Sequence, residues 1–453
     1  MRTKQGGRFV AGGWLLAAAW LVGSAGPLRA QSTGGSPPVG ADSATPPTLG
    51  ELYAAAERND ARSRQAALDE SALELRLKNL TTEWLPRFSL SGEARYQSDV
   101  PSFQPAGAPS GQFPTVPKEN YDVAVGVEQT LYDGGATGGR KAVERARTAE
   151  AKAHLQTTLN QLRGEVDRAY FTALALAARA AETELLIEDL SARLADARAR
   201  VAAEVALTGE PAALEAELLR ARQRLAEYHA DRRAALTVLA NLTGVTLDPD
   251  EELALPDLDA EVGSAADAIG RRRHPAFAAF RATEARLGRQ SDLAGRARLP
   301  RLAAFGEAGY GRPGLNQFGD SWDTYWLGGV KLEWSPWHWG RVRREQEQLD
   351  LRREAVQTEE EAFAAALERA SADERADLER LRTAIGSDDE IVRLRALIER
   401  QAERQFEEGV LPAADYVDRR TDLAQARIAR RLHQIELAEA QARYLTTLGV
   451  PVP

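Results

Sequence analysis

The chain carries one strand motif twice. Leu85-Pro86-Arg87-Phe88-Ser89-Leu90-Ser91-Gly92-Glu93-Ala94-Arg95-Tyr96 returns as Leu299-Pro300-Arg301-Leu302-Ala303-Ala304-Phe305-Gly306-Glu307-Ala308-Gly309-Tyr310. From Leu85 to Leu299 the offset is 214 residues, close to half of a 453-residue chain. A repeat this long fixes architecture before any local reading, because each copy must form the same supersecondary unit. Here the unit is a short alternating strand set between long helical segments.

The helical segments follow from composition and punctuation. A first helix is expected from about Leu49 to Trp84. Thr48 and Glu51 supply a capping box at its start, and Pro86 stops it. Residues 87–96 alternate: Phe88, Leu90, Gly92, Ala94 and Tyr96 on one face, Arg87, Ser89, Ser91, Glu93 and Arg95 on the other. Period two with one polar face is a strand. A Pro- and Gly-rich loop follows, and then Tyr121, Val123, Val125, Val127 and Leu131 mark the second strand of a hairpin over 87–131. From about Ala142 to Leu207 the chain is Ala-rich, charged and free of Pro. A helix of that length spans on the order of 100 Å, so it must lie in a coiled or bundled assembly. Gly209 and Pro211 turn it, and a return helix runs to the Leu242-Thr243-Gly244 stop.

After an acidic, Pro-containing connector over 246–264 the plan repeats. A helix from about Ala265 to Leu299 is interrupted at His274-Pro275. A second hairpin covers 301–334. A long charged helix runs from Arg341 to about Glu408, Gly409 and Pro412 turn it, and a last helix ends at Leu448-Gly449. The two repeats are therefore 48–245 and 265–450.

Residues 1–30 read as a secretory signal. Arg2, Lys4 and Arg8 precede an apolar, Ala-rich stretch from Phe9 to Val22, and cleavage falls after Ala30 or after Ala25. Residues 31–47 form a flexible Gly-, Ser- and Pro-rich leader. Removing Arg2, Lys4, Arg8 and Arg29 takes the net charge from −9 to −13. That balance disfavours nucleic acid as a partner. There is no cysteine, which excludes disulfides and thiolate metal sites.

Beyond residue 30 no stretch approaches the roughly 18 consecutive apolar residues of a transmembrane helix. Alternating strands barely register on hydropathy, so a β-barrel stays open. Four strands make an open sheet, and unpaired backbone groups cost several kcal/mol each in hydrocarbon. If these strands cross a bilayer, several chains must close one barrel. The aromatics agree: Trp84, Tyr96, Tyr121, Trp322, Trp326, Trp334 and Trp337 all lie in or beside the hairpins, as an interfacial girdle would. The competing reading is a soluble hairpin that packs its aromatics on helices.

The order of these motifs resembles the TolC family of outer-membrane channel proteins. Leu-Pro-Arg opens the first strand of each half. Gln129-Thr130-Leu131-Tyr132-Asp133-Gly134-Gly135 and Trp334-Ser335-Pro336-Trp337-His338-Trp339-Gly340 are similar to the family's two strand-to-helix turns. Gly209 and Gly409 match its hairpin glycines. The resemblance covers residues 48–450. It implies a mainly α fold with a small membrane β part, a homotrimer closing a twelve-stranded barrel, and an α-helical tunnel through the periplasm. It also implies a passive exit duct for tripartite efflux or type I secretion, with a periplasmic adaptor, an inner-membrane transporter and outer-membrane lipid as partners. The alternative from another class is a non-pore periplasmic coiled-coil scaffold or adaptor.

The resemblance places acids six and nine residues after the second hairpin glycine, at Asp415 and Asp418, and a further acid, Glu215, six after the first. In a trimer each would form a ring of three carboxylates, which favours cations. Adaptor contact falls by placement on Gly209, Glu210, Gly409, Val410 and Leu411. Two departures stand out: Phe406 occupies the place of a hydroxyl-bearing aromatic, and Leu411 that of a common basic residue. No catalytic residue, metal site or cofactor fingerprint is found. The five histidines are scattered, and the Gly134–Lys141 stretch lacks the Ser or Thr that a phosphate loop needs after its lysine.

Overall fold

The computed structural model describes residues 47–100, 116–203, 209–248, 252–265, 273–316 and 319–453. The expected signal (1–30), nearly all of the leader, and the tip of the first β-hairpin lie outside the described residues, as does part of the connector. The elements run α1 (Leu49–Asn59), α2 (Gln65–Thr81), β1 (Arg87–Tyr96), β2 (Glu119–Tyr132), α3 (Ala136–Ala202), α4 (Gly209–Thr243), α5 (Asp259–Ala265), α6 (Pro275–Arg296), β3 (Arg301–Arg312), β4 (Asp323–Glu333), α7 (Arg341–Glu407) and α8 (Ala413–Leu448).

The capping box forms at α1: Glu51 N donates to Thr48 Oγ1 at 3.2 Å and Thr48 N donates to Glu51 Oε2 at 2.9 Å. The first helix is not continuous. It breaks at Asp60, whose carboxylate accepts from Arg62 N at 2.7 Å and so offers the backbone a local alternative to the helix. A 3-10 turn over Ala61–Arg64 carries the chain into α2. The break at His274-Pro275 is present. His274 caps α6, its Nδ1 accepting from Ala276 N at 3.2 Å, and Pro275 takes the first helical position.

α3 and α7 each have 67 residues, so each spans on the order of 100 Å. Two large cores and a small cluster of Ala173, Ala235 and Leu236 hold the described helices. The larger, at mid-height, gathers Leu52 and Tyr53 of α1, Val166 and Tyr170 of α3, and Ile435, Tyr444 and Leu445 of α8. The lower lies near the hairpin tips. Leu186, Leu190 and Leu194, one turn apart on α3, meet Leu214 and Leu218 of α4 together with Phe406 and Tyr416.

The four strands form one antiparallel sheet in the order β1-β2-β3-β4. β1 pairs Arg87 with Glu128 through Tyr96 with Glu119, β2 pairs with β3, and β3 pairs Arg301 with Glu333. Among the described residues the outer edges of β1 and β4 have no partner strand. No described helix is long and apolar enough to cross a membrane.

Candidate functional site

The two helical hairpins end together. Gly409 closes α7 in the left-handed region (φ 75°), and both Val410 N and Leu411 N donate to the Gln405 carbonyl, at 2.8 and 3.0 Å. Gly209, Ala213, Gly409, Val410, Leu411 and Pro412 line one shallow cavity of about 390 Å³. Val410 is exposed there. The sequence-predicted contact residues of both tips are thus neighbours in space; only the side chain of Glu210 lies outside the described residues.

The predicted acids differ in setting. Glu215 is exposed and paired with Arg198 at 2.9 Å. Asp415 and Asp418 are exposed on the first turns of α8, with no ion-pair partner among the described residues. Three residues apart, they share one helix face.

Above these acids sits a charged network that sequence reasoning missed. Tyr416, fully buried, donates its hydroxyl to Asp189 Oδ2 at 3.0 Å, and Arg420 Nε reaches the same oxygen at 3.2 Å. Arg193 ties α3 to α7, donating to Glu407 at 2.9 Å and also to Glu403. The Phe406 ring stacks on Tyr416 with centroids 5.0 Å apart and planes at 14°. Phe406 carries no hydroxyl; the Tyr416 hydroxyl on the neighbouring helix is the one that bonds Asp189. Burial, and then the charge of Asp189, push the Tyr416 hydroxyl well above its ordinary pKa. Burial likewise raises Glu399, against the opposing effect of Arg420. Asp189, Arg193, Glu403 and Glu407 are ordinary charges on long charged helices, so nothing in their spacing sets them apart. Tyr416 is the one available signal, an aromatic among acids and arginines.

At the other end, the sheet has two unlike faces. Phe88, Leu90, Val123, Val125, Trp326, Val330 and Leu332 are exposed together on one. On the other, Glu93 faces Asp122 across the β1–β2 pair, and Tyr325 donates its hydroxyl to Asp122 at 2.8 Å and to Glu307 at 3.1 Å. Lower on that face Arg87, Glu128, Arg301, Lys331 and Glu333 line a cavity of about 270 Å³. The aromatics gather at the two ends of the strands. Trp322 stacks between Tyr121 and Tyr310 at 6.0 and 5.2 Å, beside exposed Tyr96. Trp84, Trp334 and Trp337 sit where strands meet helices, and Trp334 Nε1 donates to the Arg298 carbonyl at 3.1 Å. Trp326 lies between these ends, opposite Ala308.

The first strand-to-helix turn is built by Asp133. Its carboxylate accepts from Gly135 N at 2.8 Å and Thr137 N at 2.6 Å, while Gly134 and Gly135 take left-handed backbone that other residues resist. Among the described residues no cluster of three metal-ligating side chains occurs.

No family model matches the chain, and no curated protein matches it by sequence. Solved structures do match. A membrane protein from Pseudomonas aeruginosa is 18% identical, with 89% of this chain and 90% of that one covered at a TM-score of 0.64. CusC, a transmembrane channel, is 14% identical over 89% and 92% of the two chains, also at 0.64. The outer-membrane channel MtrE of Neisseria gonorrhoeae, in its open state, is 18% identical over 89% and 89% at 0.62. The repeated sheet, the paired long helical hairpins and these matches together give the chain the fold of the TolC-type outer-membrane channels.

Proposed function

We propose that three copies of this chain close a twelve-stranded barrel in the outer membrane and continue it as an α-helical tunnel into the periplasm. The complex is a passive exit duct. An inner-membrane transporter supplies the energy, and a periplasmic adaptor joins the two. One observation carries this reading: a four-stranded sheet with an exposed apolar face, a polar opposite face and two open edges. In hydrocarbon those edges must pair, so β4 of one copy meets β1 of the next. About ten residues per strand at roughly 3.3 Å each, tilted by about 40°, give on the order of 25 Å of height, the width of a barrel's apolar band. The aromatics Trp84, Tyr96, Tyr121, Trp322, Trp334 and Trp337 then serve as the membrane-interface girdles, and Trp326 faces the apolar band between them.

The helices support the same assembly. Ile391, Leu394 and Ile398 form an exposed apolar stripe on α7, and Leu68 and Leu75 are exposed on α2. In three copies such stripes cover one another. Asp415 and Asp418 become rings at the tunnel's entrance, free of ion pairs among the described residues and so available to passing cations. Glu215 is held by Arg198 and acts in closure. The network around Asp189, Arg193 and Tyr416 keeps each hairpin pair together, and the adaptor docks at the cavity of Gly209, Gly409, Val410 and Leu411, with Glu210 as a further contact by its place in the sequence.

Purified full-length chain in a planar bilayer tests this. An SDS-resistant trimer with discrete conductance is expected, together with a cation preference that weakens in the Asp415→Asn/Asp418→Asn variant. A water-soluble monomer without conductance overturns the reading.

A further inference from the structure

The two strand-to-helix turns do the same topological work with different residues. Where the first has Gly134 (φ 65°) and Gly135 (φ 75°), the second has Trp339 (φ 48°) and Gly340 (φ 72°). Trp339 is the only non-glycine residue with positive φ among those described. Left-handed backbone is costly for a bulky side chain, and glycine at the same place in the first turn avoids that cost. Packing within the chain does not offset it, because Trp339 is 82% exposed and its neighbour Trp337 75%. The two rings lie edge to face, with centroids 6.5 Å apart. Strain retained at an exposed residue points to a use for that side chain outside the chain.

The charges beside it differ between the turns in the same sense. After the first turn, Arg140 is bound by Glu83 and Lys141 by Thr81. After the second, Arg341, Arg343 and Arg344 open α7 with no acid in the first turn, where the helix dipole favours acids. Arg343 reaches Glu347 at 3.3 Å, whereas Arg341 and Arg344 are exposed and have no ion-pair partner among the described residues. Two unpaired cations beside two exposed indoles complement an interfacial layer of anionic headgroups. The apolar face of β4, through Val330 and Leu332, leads directly into Trp334 and this patch.

We propose that Trp337, Trp339, Arg341 and Arg344 form an aromatic and basic foot that seats in the phospholipid headgroups of the leaflet nearest the helices. The indoles lie at the level of the carbonyl and phosphate groups, and the guanidiniums bind phosphate. The foot belongs to the second half of the repeat only, so an assembly carries one per chain. This inference rests on the membrane-spanning reading of the sheet.

The test uses the full chain reconstituted in phosphatidylcholine vesicles doped with brominated phosphatidylglycerol or brominated phosphatidylcholine, with tryptophan fluorescence as the readout. The foot's contribution is the difference between wild type and Trp337→Phe/Trp339→Phe. That difference is expected to be quenched by bromines near the headgroup, more strongly in phosphatidylglycerol. Arg341→Gln/Arg344→Gln should lower that lipid preference by up to roughly fivefold per arginine. Trp339→Gly should leave thermal stability unchanged or raised while reducing quenching, a combination that a merely structural tryptophan would not give. A foot component shielded from both brominated lipids, with the trimer lost in Trp337→Phe/Trp339→Phe, would make the patch a contact between copies and overturn the proposal. Failure of the sheet reading is separate: the remaining tryptophans, Trp326 included, would then escape quenching as well.

Discussion

α3 and α7 have the same length and the same place in the repeat, yet their surfaces differ. α3 has twenty buried positions and α7 only eight. α3 is the internal pillar: α4 packs on its lower part, α6 on its upper part, and α1 and α8 against its middle. α7 touches mainly α8 and α6 and leaves Leu351, Ile391, Leu394, Leu397 and Ile398 exposed. Duplication gave two equal rods. One is buried among the other helices of the chain, and the other leaves an apolar stripe exposed.

Truncation separates the two roles most sharply. Leu190 of α3 is fully buried, so Leu190→Ala should destabilise the chain by about 2–5 kcal/mol. Ile391→Glu/Leu394→Glu on α7 should leave the chain's secondary structure intact and prevent oligomer formation. Chemical denaturation read beside size-exclusion chromatography checks both. Equal destabilisation by the two variants would erase the distinction.

Next in size is a pH effect centred on Asp167 of α3. Asp167 is buried against Tyr53, and burial pushes its carboxyl up to about 7, the Tyr53 hydrogen bond acting in the opposite direction. A raised carboxyl pKa means that the folded chain holds a proton the unfolded chain has released. Stability should therefore fall as pH rises from about 4 to about 7 and level off above that. Asp167→Asn should flatten this slope in urea titrations; an unchanged slope would assign it to other groups.

A smaller effect is expected where the two rods are tied. Arg193→Ala removes the ties to Glu403 and Glu407, which are partly solvated, so a loss of about 1 kcal/mol is expected. Widening of the tips should accompany it, read as higher conductance. The smallest effect on folding belongs to Asp415→Asn/Asp418→Asn. Both acids are exposed, so stability should stay within about 0.5 kcal/mol while ion selectivity changes.

Much of the fold was legible because it is written in periodicity and punctuation. β1 begins and ends where alternation does, at Arg87 and Tyr96, and Thr48, Pro275, Gly409 and Gly449 mark helix ends through backbone chemistry that acts locally. Three features were not legible. The break at Asp60 depends on one side chain outcompeting the helix for Arg62 N. The tip network joins residues more than 200 positions apart, and on helices this charged no single carboxylate announces its partner. The left-handed Trp339 follows from alignment with Gly134 only once both turns are seen in three dimensions. Asp415 and Asp418 are exposed at the start of α8, whereas the buried Tyr416–Asp189 bond that joins α8 to α3 has no mark in sequence spacing.

The equal residue counts of α3 and α7 act as a ruler. Both rods start at the sheet, α7 ends at the Gly409 turn and α3 ends at Ala202 before α4 opens at Gly209, so the depth at which the tips lie is set by counting residues. A heptad added to all of α3, α4, α7 and α8 would keep every seam in phase and lower the tips by about 10 Å. The same heptad in α3 and α4 alone would leave one hairpin hanging past the other, with Gly209 and Gly409 no longer side by side. The distance from sheet to tips is thus a property evolution can tune in whole turns, provided both halves are edited together.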